Sequence, residues 1–312
     1  MFDLWVNEIR PKTLLLAASN CAVGSFLGLY YGEISAYTIV LMLLIILTGV
    51  LLQIVSNLAN DYGDACKGAD GAARIGPIRA VMSGGLSLTQ LRKGIGVTIL
   101  LAVVVGAIAV GMSFFNNINA LAWFLFLGAV SIVAALLYTV GMAYGYKGLG
   151  DLSVFIFFGI LAVVGPQIML SNASDLGVAV YPDTVLLCIS VGASSVMVLH
   201  VANMRDIDED VLNGKKTIAV RLGRRMAGFY HAFLFILTLV FSLAACCLSH
   251  RVWECVILLV GLIPLLLSAF RAINHIKDPL LVAKELKHTL IGCFCHNVAW
   301  IIVICVDFVL YI

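Results

Sequence analysis

The sequence predicts an all-α integral membrane protein of nine transmembrane helices, with its N-terminus cytoplasmic and its C-terminus outside. Three observations carry this. Composition is the first: of 312 residues, 62% are hydrophobic and 12% charged, with a mean hydropathy of +1.08. Ordinary soluble domains are about 45–50% apolar and about 25% charged, so disorder, a fibrous chain and a soluble domain are all excluded. The second is nine apolar stretches near the roughly 20 residues that a helix needs to cross a bilayer. The third is charge placement. With the N-terminus inside, 18 of the 19 Lys and Arg residues fall on the inner side and only Arg251 falls outside, as the positive-inside rule requires.

The elements follow in order. Residues 1–12 carry Trp5, Arg10, Pro11 and Lys12. They read as an interfacial lead-in to a first span that is retained, not as a cleaved leader. The spans are expected at about 13–31, 36–56, 95–114, 118–140, 152–171, 183–202, 227–248, 253–270 and 289–311. Their near-continuous apolar character, without the period-2 alternation of barrel strands, selects helices. Two connections, 57–94 and 203–226, are long, polar and rich in glycine and charge. Four spans separate them, so both lie on the cytoplasmic face. The chain reads as one transmembrane domain, 1–312, with pseudo-repeated halves at about 13–140 and 152–270 and a last helix at 289–311.

Net charge is +2, which points to no class of partner, and no nucleic-acid partner is expected. The nine cysteines are scattered without a CxxC, mostly in apolar runs, and read as small apolar side chains rather than a disulfide framework. Cys293 and Cys295 lie two apart and point to different helix faces, which argues against a metal site with His288 and His296.

The first polar loop opens NLANDYGDACKGAD at 57–70. Asn57, Asn60, Asp61 and Asp64 fall at i, i+3, i+4 and i+7, one stripe of a helix continuing out of the second span. The helix is expected to end near Lys67–Gly68, before Asp70. The second loop opens NMRDIDED at 203–210, where Asn203, Asp206 and Asp210 again share a stripe and Asp208 points elsewhere. Carboxylates and amides at helix ends on one face suit a hard cation. Mg²⁺ takes oxygen ligands and joins one or two carboxylates to substrate phosphates. Basic residues nearby would hold the remaining phosphate oxygens: Lys67, Arg74, Arg79, Lys147, Arg205, Lys215 and Lys216. Matching acids and bases in corresponding loops read as a magnesium–diphosphate clamp. A solvated charged loop explains any single acid but not two matching stripes. An ion-coupled transporter is disfavoured because its site would sit near the bilayer midplane.

Gln53 and His200 lie one turn deeper on the same stripes, and polar groups inside a span are functional candidates. They are expected to line the acceptor or prenyl pocket, with Asn57.

The two acidic segments resemble the aspartate-rich motifs of the UbiA superfamily of membrane prenyltransferases, and most closely its naphthoate-prenylating branch. RPKTL at 10–14, RIGPIR at 74–79, KGLGDLSVFIFFG at 147–159 and KKTIAVRLG at 215–223 are similar to that branch too. The wider superfamily commonly reads NDxxDxxxD in its first motif. Here Gly68 takes the third acidic position and Asp70 comes two later.

The resemblance implies a UbiA-like bundle and Mg²⁺-dependent transfer of a polyprenyl chain from polyprenyl diphosphate to 1,4-dihydroxy-2-naphthoate. Carboxylate is lost as CO₂ and demethylmenaquinol is the product of this step of menaquinone biosynthesis. Hydroxybenzoate and homogentisate stand as alternative acceptors. By motif position, Asn60, Asp61 and Asp64 hold one magnesium and Asn203, Asp206 and Asp210 the other. Lys147, Arg205 and Lys215 contact diphosphate. The expected location is the lipid bilayer of the cell inner membrane, with the site on the cytoplasmic face. The Gly-rich loop 63–85 is expected to close as a lid. Tyr62 and Tyr138 are candidates for steadying an allylic cation with their aromatic faces.

Overall fold

The computed structural model describes residues 2–67, 80–81, 83–249 and 251–311. Among these the chain is helical without strands, and nine helices are long and apolar enough to cross a membrane. A short amphipathic helix, α1 (Phe2–Ile9), precedes the spans. The first four are α2 (Pro11–Tyr31), α3 (Ala36–Lys67), α4 (Leu88–Phe114) and α5 (Ile118–Leu137). The fifth is composite: α6 (Gly150–Val154), a π-helical stretch over Phe155–Leu161 and α7 (Ala162–Ala173). Then come α8 (Pro182–Arg205), the short α9 (Ile207–Leu212), α10 (Ile218–Ser249), α11 (Val252–Asn274) and α12 (Pro279–Tyr311).

Several helices outrun their apolar cores. α4 begins at Leu88, not 95, because Ser87 and Gln90 form a capping box that supports a polar first turn. α12 begins at Pro279, not 289, so most of the expected 271–288 connection is helical. α10 begins at Ile218 and is interrupted at Gly223, whose φ of 69° suits a residue without a Cβ.

Packing is inside out relative to a soluble protein. α4 and α11 turn Leu100, Leu101, Val256 and Val260 outward, toward lipid. α8 is the most buried span and α5 the most peripheral. Where two backbones meet, small residues permit it: a Cβ on Gly159 would lie 2.5 Å from the Gly192 Cα. That contact falls in the π-helical stretch, whose widened turn leaves carbonyls without their usual donors. Asn20 answers one of them, donating from Nδ2 to the Phe158 carbonyl at 2.9 Å. Asn297 donates to the Asn20 side-chain oxygen at 2.7 Å and to Ser19 Oγ at 2.9 Å. This buried seam ties α12 to α2 and the fifth span. Interhelical bonds of this kind contribute roughly 0.6 kcal/mol each on average.

Candidate active site

The first acidic motif occupies the last turns of α3. Asn57, Asp61 and Asp64 are buried there and Asn60 is half-buried. The shared stripe turns inward because Gly63 lies against the segment after α5: a Cβ at Gly63 would meet Thr139 Oγ1 at 2.5 Å. Thr139 fixes this contact by donating to the Ala59 carbonyl at 3.0 Å, and Lys67 Nζ donates to the Thr139 carbonyl at 2.7 Å. Asn57 is held from two sides. Its Nδ2 donates to the Ile9 carbonyl at 2.8 Å and to Thr13 Oγ1 at 3.0 Å, and its Oδ1 accepts from Gln53 Nε2 at 3.0 Å. Asp61 accepts from the Arg10 guanidinium.

The second motif differs from a continuous stripe. α8 ends at Arg205, and Asp206, with φ −96° and ψ 12°, separates it from α9. Arg205 forks onto Asp206, with Nε to Oδ1 and Nη2 to Oδ2 both at 2.5 Å. Asp210 is buried, with Lys215 Nζ 3.6 Å from its Oδ1. Burial pushes the Asp210 carboxyl up to about 6; Lys215 pulls it down, while Asp206 and Glu209 push it further up. Asn203 is half-buried. Asp208 is largely exposed and pairs with Arg224.

A turn over Tyr144–Lys147 joins the two motifs. The Tyr146 hydroxyl donates to Asp64. Over the same ring lie the Lys67 ammonium, 3.9 Å from the centroid, and the Lys215 ammonium, 4.6 Å from it. The turn is anchored to the second motif's loop: Lys216 N–H donates to the Tyr146 carbonyl at 2.7 Å, and Arg221 donates to the Lys147 carbonyl at 2.5 Å. Gly148 closes the turn at φ +85°, and a Cβ there would lie 2.7 Å from the Lys216 carbonyl oxygen. Tyr146 thus draws Asp64 and Lys67 of one motif toward Lys215 and Asp210 of the other. Two cations gathered on one ring beside buried acids form a place for a polyanion.

The remaining candidates scatter around this centre. The Lys147 side chain is exposed. Tyr138 lies against Gly145 and Gly150, edge-on to Tyr144 at 5.3 Å. Tyr62 packs between α3 and α4 beside Leu58 and Leu91. His200 is fully buried and faces α10, with Nε2 3.0 Å from the Ala227 carbonyl and its ring against Tyr230 and His231. Arg74, Arg79 and Asp70, and most of the expected lid, lie outside the described residues.

Three groups near the site escaped sequence reasoning. Tyr146 carries no charge, though it adjoins the KGLGD segment. Arg10 stands in RPKTL, but only the fold aims it at Asp61. Asp151 is buried and lies 3.8 Å from His200 Nδ1.

Among the described residues, no three His, Cys, Asp or Glu side chains come together as a ready metal shell. The donor set is nevertheless all oxygen, from two acid-and-amide pairs beside a cationic platform. That fits Mg²⁺, which keeps waters and is typically held by one or two carboxylates together with substrate phosphates.

The fold defines a multi-pass membrane protein, with two acidic motifs and two lysines gathered around Tyr146 at one end of its bundle. The UbiA prenyltransferase family model matches residues 15–291. A 1,4-dihydroxy-2-naphthoate octaprenyltransferase from Escherichia coli (strain K12) is 36% identical over 303 residues, covering 96% of this chain and 94% of its own length. One from Haemophilus influenzae is 39% identical over 245 residues, covering 78% and 75%. The apo structure of a UbiA homolog from Aeropyrum pernix K1 superposes with a TM-score of 0.66 at 16% identity, covering 96% of this chain and 98% of that one. A UbiA homolog from Archaeoglobus fulgidus bound to DMAPP and Mg²⁺ gives 0.59 at 15% identity, covering 98% and 99%. The chain belongs to the UbiA prenyltransferase family and is a membrane prenyltransferase.

Proposed function

We propose that the protein transfers a polyprenyl chain from polyprenyl diphosphate to 1,4-dihydroxy-2-naphthoate, with loss of CO₂, to give demethylmenaquinol in menaquinone biosynthesis. The observation that carries the reading is the Tyr146 junction, where the two acidic motifs and two lysines converge. The acceptor assignment is supported by the relatives that match most of the chain. The inner-membrane location, with the site on the cytoplasmic face, is supported by the placement of the basic residues.

In this reading Asn60, Asp61 and Asp64 hold one magnesium, and Asn203, Asp206 and Asp210 the other. The Archaeoglobus relative's bound Mg²⁺ supports that choice of metal. Magnesium, when bound, neutralises charge on the diphosphate leaving group. Lys67 and Lys215 take diphosphate oxygens from above the Tyr146 ring. Arg74, Arg79, Lys147 and Arg205 complete the grip. The allylic carbon–oxygen bond breaks, the leaving electrons stay with diphosphate, and a ring carbon of the acceptor supplies the pair for the new carbon–carbon bond. The acceptor's carboxylate leaves as CO₂. Tyr138, packed against Gly145 and Gly150, presents an aromatic face to the developing cation. The apolar bundle keeps water from competing.

Purified protein given a labelled allylic diphosphate tests this. Diphosphate release that needs both Mg²⁺ and an aromatic acceptor is expected. No release with any aromatic acceptor would sink it.

A further inference from the structure

Arg10 is the only residue between α1 and α2, and it sits in the left-handed region at φ 57°. For a residue with a Cβ that conformation is strained, and it persists only where the surroundings over-determine it. Here they do. Ahead of it, the buried Glu8 accepts the Ala80 N–H at 2.6 Å and the Ile9 carbonyl accepts Asn57 Nδ2 at 2.8 Å. Behind it, Thr13 donates to the Arg10 carbonyl from both N–H, at 2.9 Å, and Oγ1, at 3.0 Å. The kink aims the guanidinium at Asp61, which is buried. The guanidinium keeps a buried Nε–H with no partner, so its donors are not saturated by the protein.

We propose that Arg10 is a positioning residue that occupies Asp61 as an internal counter-ion until metal and diphosphate arrive together, and then releases it. This rests on the reading of Asp61 as a magnesium ligand. A buried carboxylate needs a cation. Arg10 supplies one in the metal-free protein, and a divalent ion at Asp61 must displace it. Metal alone therefore binds weakly. Diphosphate offers the released guanidinium new oxygens, so it strengthens metal binding, and by linkage metal strengthens diphosphate binding to the same degree. The device would keep the site from holding metal without its substrate. A merely structural Arg10–Asp61 pair makes the opposite forecast, since breaking it would loosen the site and weaken metal binding.

The experiment is Mn²⁺ binding followed by electron paramagnetic resonance on the full-length protein in lipid nanodiscs, with and without inorganic diphosphate. Arg10→Met is expected to bind Mn²⁺ alone about tenfold more tightly than the parent, within the range of ordinary coupling between sites. It should also lose most of the gain that diphosphate confers. Mn²⁺ affinity equal to or below the parent's overturns the proposal. Should Arg10→Met fail to fold, Arg10→Lys keeps the charge without the fork. It is expected to fall between the parent and that tenfold gain, and parental or weaker affinity again overturns the idea. Asp61→Asn separates the two levels. If it leaves Mn²⁺ binding untouched, the ligand assignment itself fails. If it abolishes binding while Arg10→Met gives no gain, only the counter-ion role fails.

Discussion

Tyr146 donates its phenolic hydrogen to Asp64 and so binds the turn after α5 to the end of α3. The bond joins segments 82 residues apart, and through Lys215 over the ring it reaches the second acidic motif. The hydroxyl and the ring do separate work, and they can be separated by mutation. Tyr146→Phe removes one hydrogen bond to a charged group, which typically contributes about 1.5–3 kcal/mol. A fall of roughly tenfold to a hundredfold in kcat/KM for the prenyl diphosphate is expected. Tyr146→Ala also removes the platform under both lysines and should cost more. Steady-state kinetics on the two variants checks this, and equal losses would show that the ring contributes nothing.

The acids divide by placement. Asp61 and Asp206 are proposed ligands, whereas Asp208, on the same short segment as Asp206, is largely exposed and paired with Arg224. Asp61→Ala and Asp206→Ala are each expected to lower kcat by about a thousandfold, on the scale of several kcal/mol of leaving-group stabilisation. Asp208→Ala should stay within about twofold, since exposed ion pairs contribute little. A defect in Asp208→Ala as deep as in Asp206→Ala would dissolve the distinction.

Metal removal gives a third test. Chelated protein should lose transfer activity, and Mg²⁺ should restore it. Ca²⁺ should restore it poorly, because it prefers more ligands at longer distances than Mg²⁺. Activity that survives chelation would remove the metal from the reaction.

His200 is sealed against α10, with its ring bonded to the Ala227 carbonyl. His200→Leu would leave that buried carbonyl without this donor, at a cost of about 1–3 kcal/mol. A lower melting temperature with acceptor KM within about twofold is expected. A selective rise in acceptor KM at unchanged stability would instead place His200 in the pocket.

Much of the fold was legible because lipid imposes simple demands. Runs such as 36–56 and 118–140 have no reason to be so apolar except to cross a bilayer, and both cross as α3 and α5. Helix ends were less legible. The first turn of α4 is polar, and only its Ser87–Gln90 cap marks it as helix. The acids at 61, 64, 206 and 210 stood out because charge is scarce in this chain. Tyr146 did not, being one of ten tyrosines and made special only by the carboxylate that the fold brings to its hydroxyl and the lysines it brings over its ring. His200 shares a stripe with Asn203, but stripe position does not say which neighbour a side chain meets, and α10 was the neighbour that counted. Arg10 depends on a left-handed kink that no periodicity reveals.

The most direct measurement is the mass of the product formed by purified protein from 1,4-dihydroxy-2-naphthoate, Mg²⁺ and a mixture of polyprenyl diphosphates, with diphosphate and CO₂ followed in parallel. The expected result is a prenylated naphthalenediol lacking the carboxylate, with one diphosphate and one CO₂ released per product. A product that keeps its carboxylate, or prenylation of a hydroxybenzoate in preference to the naphthoate, would contradict the proposed reaction.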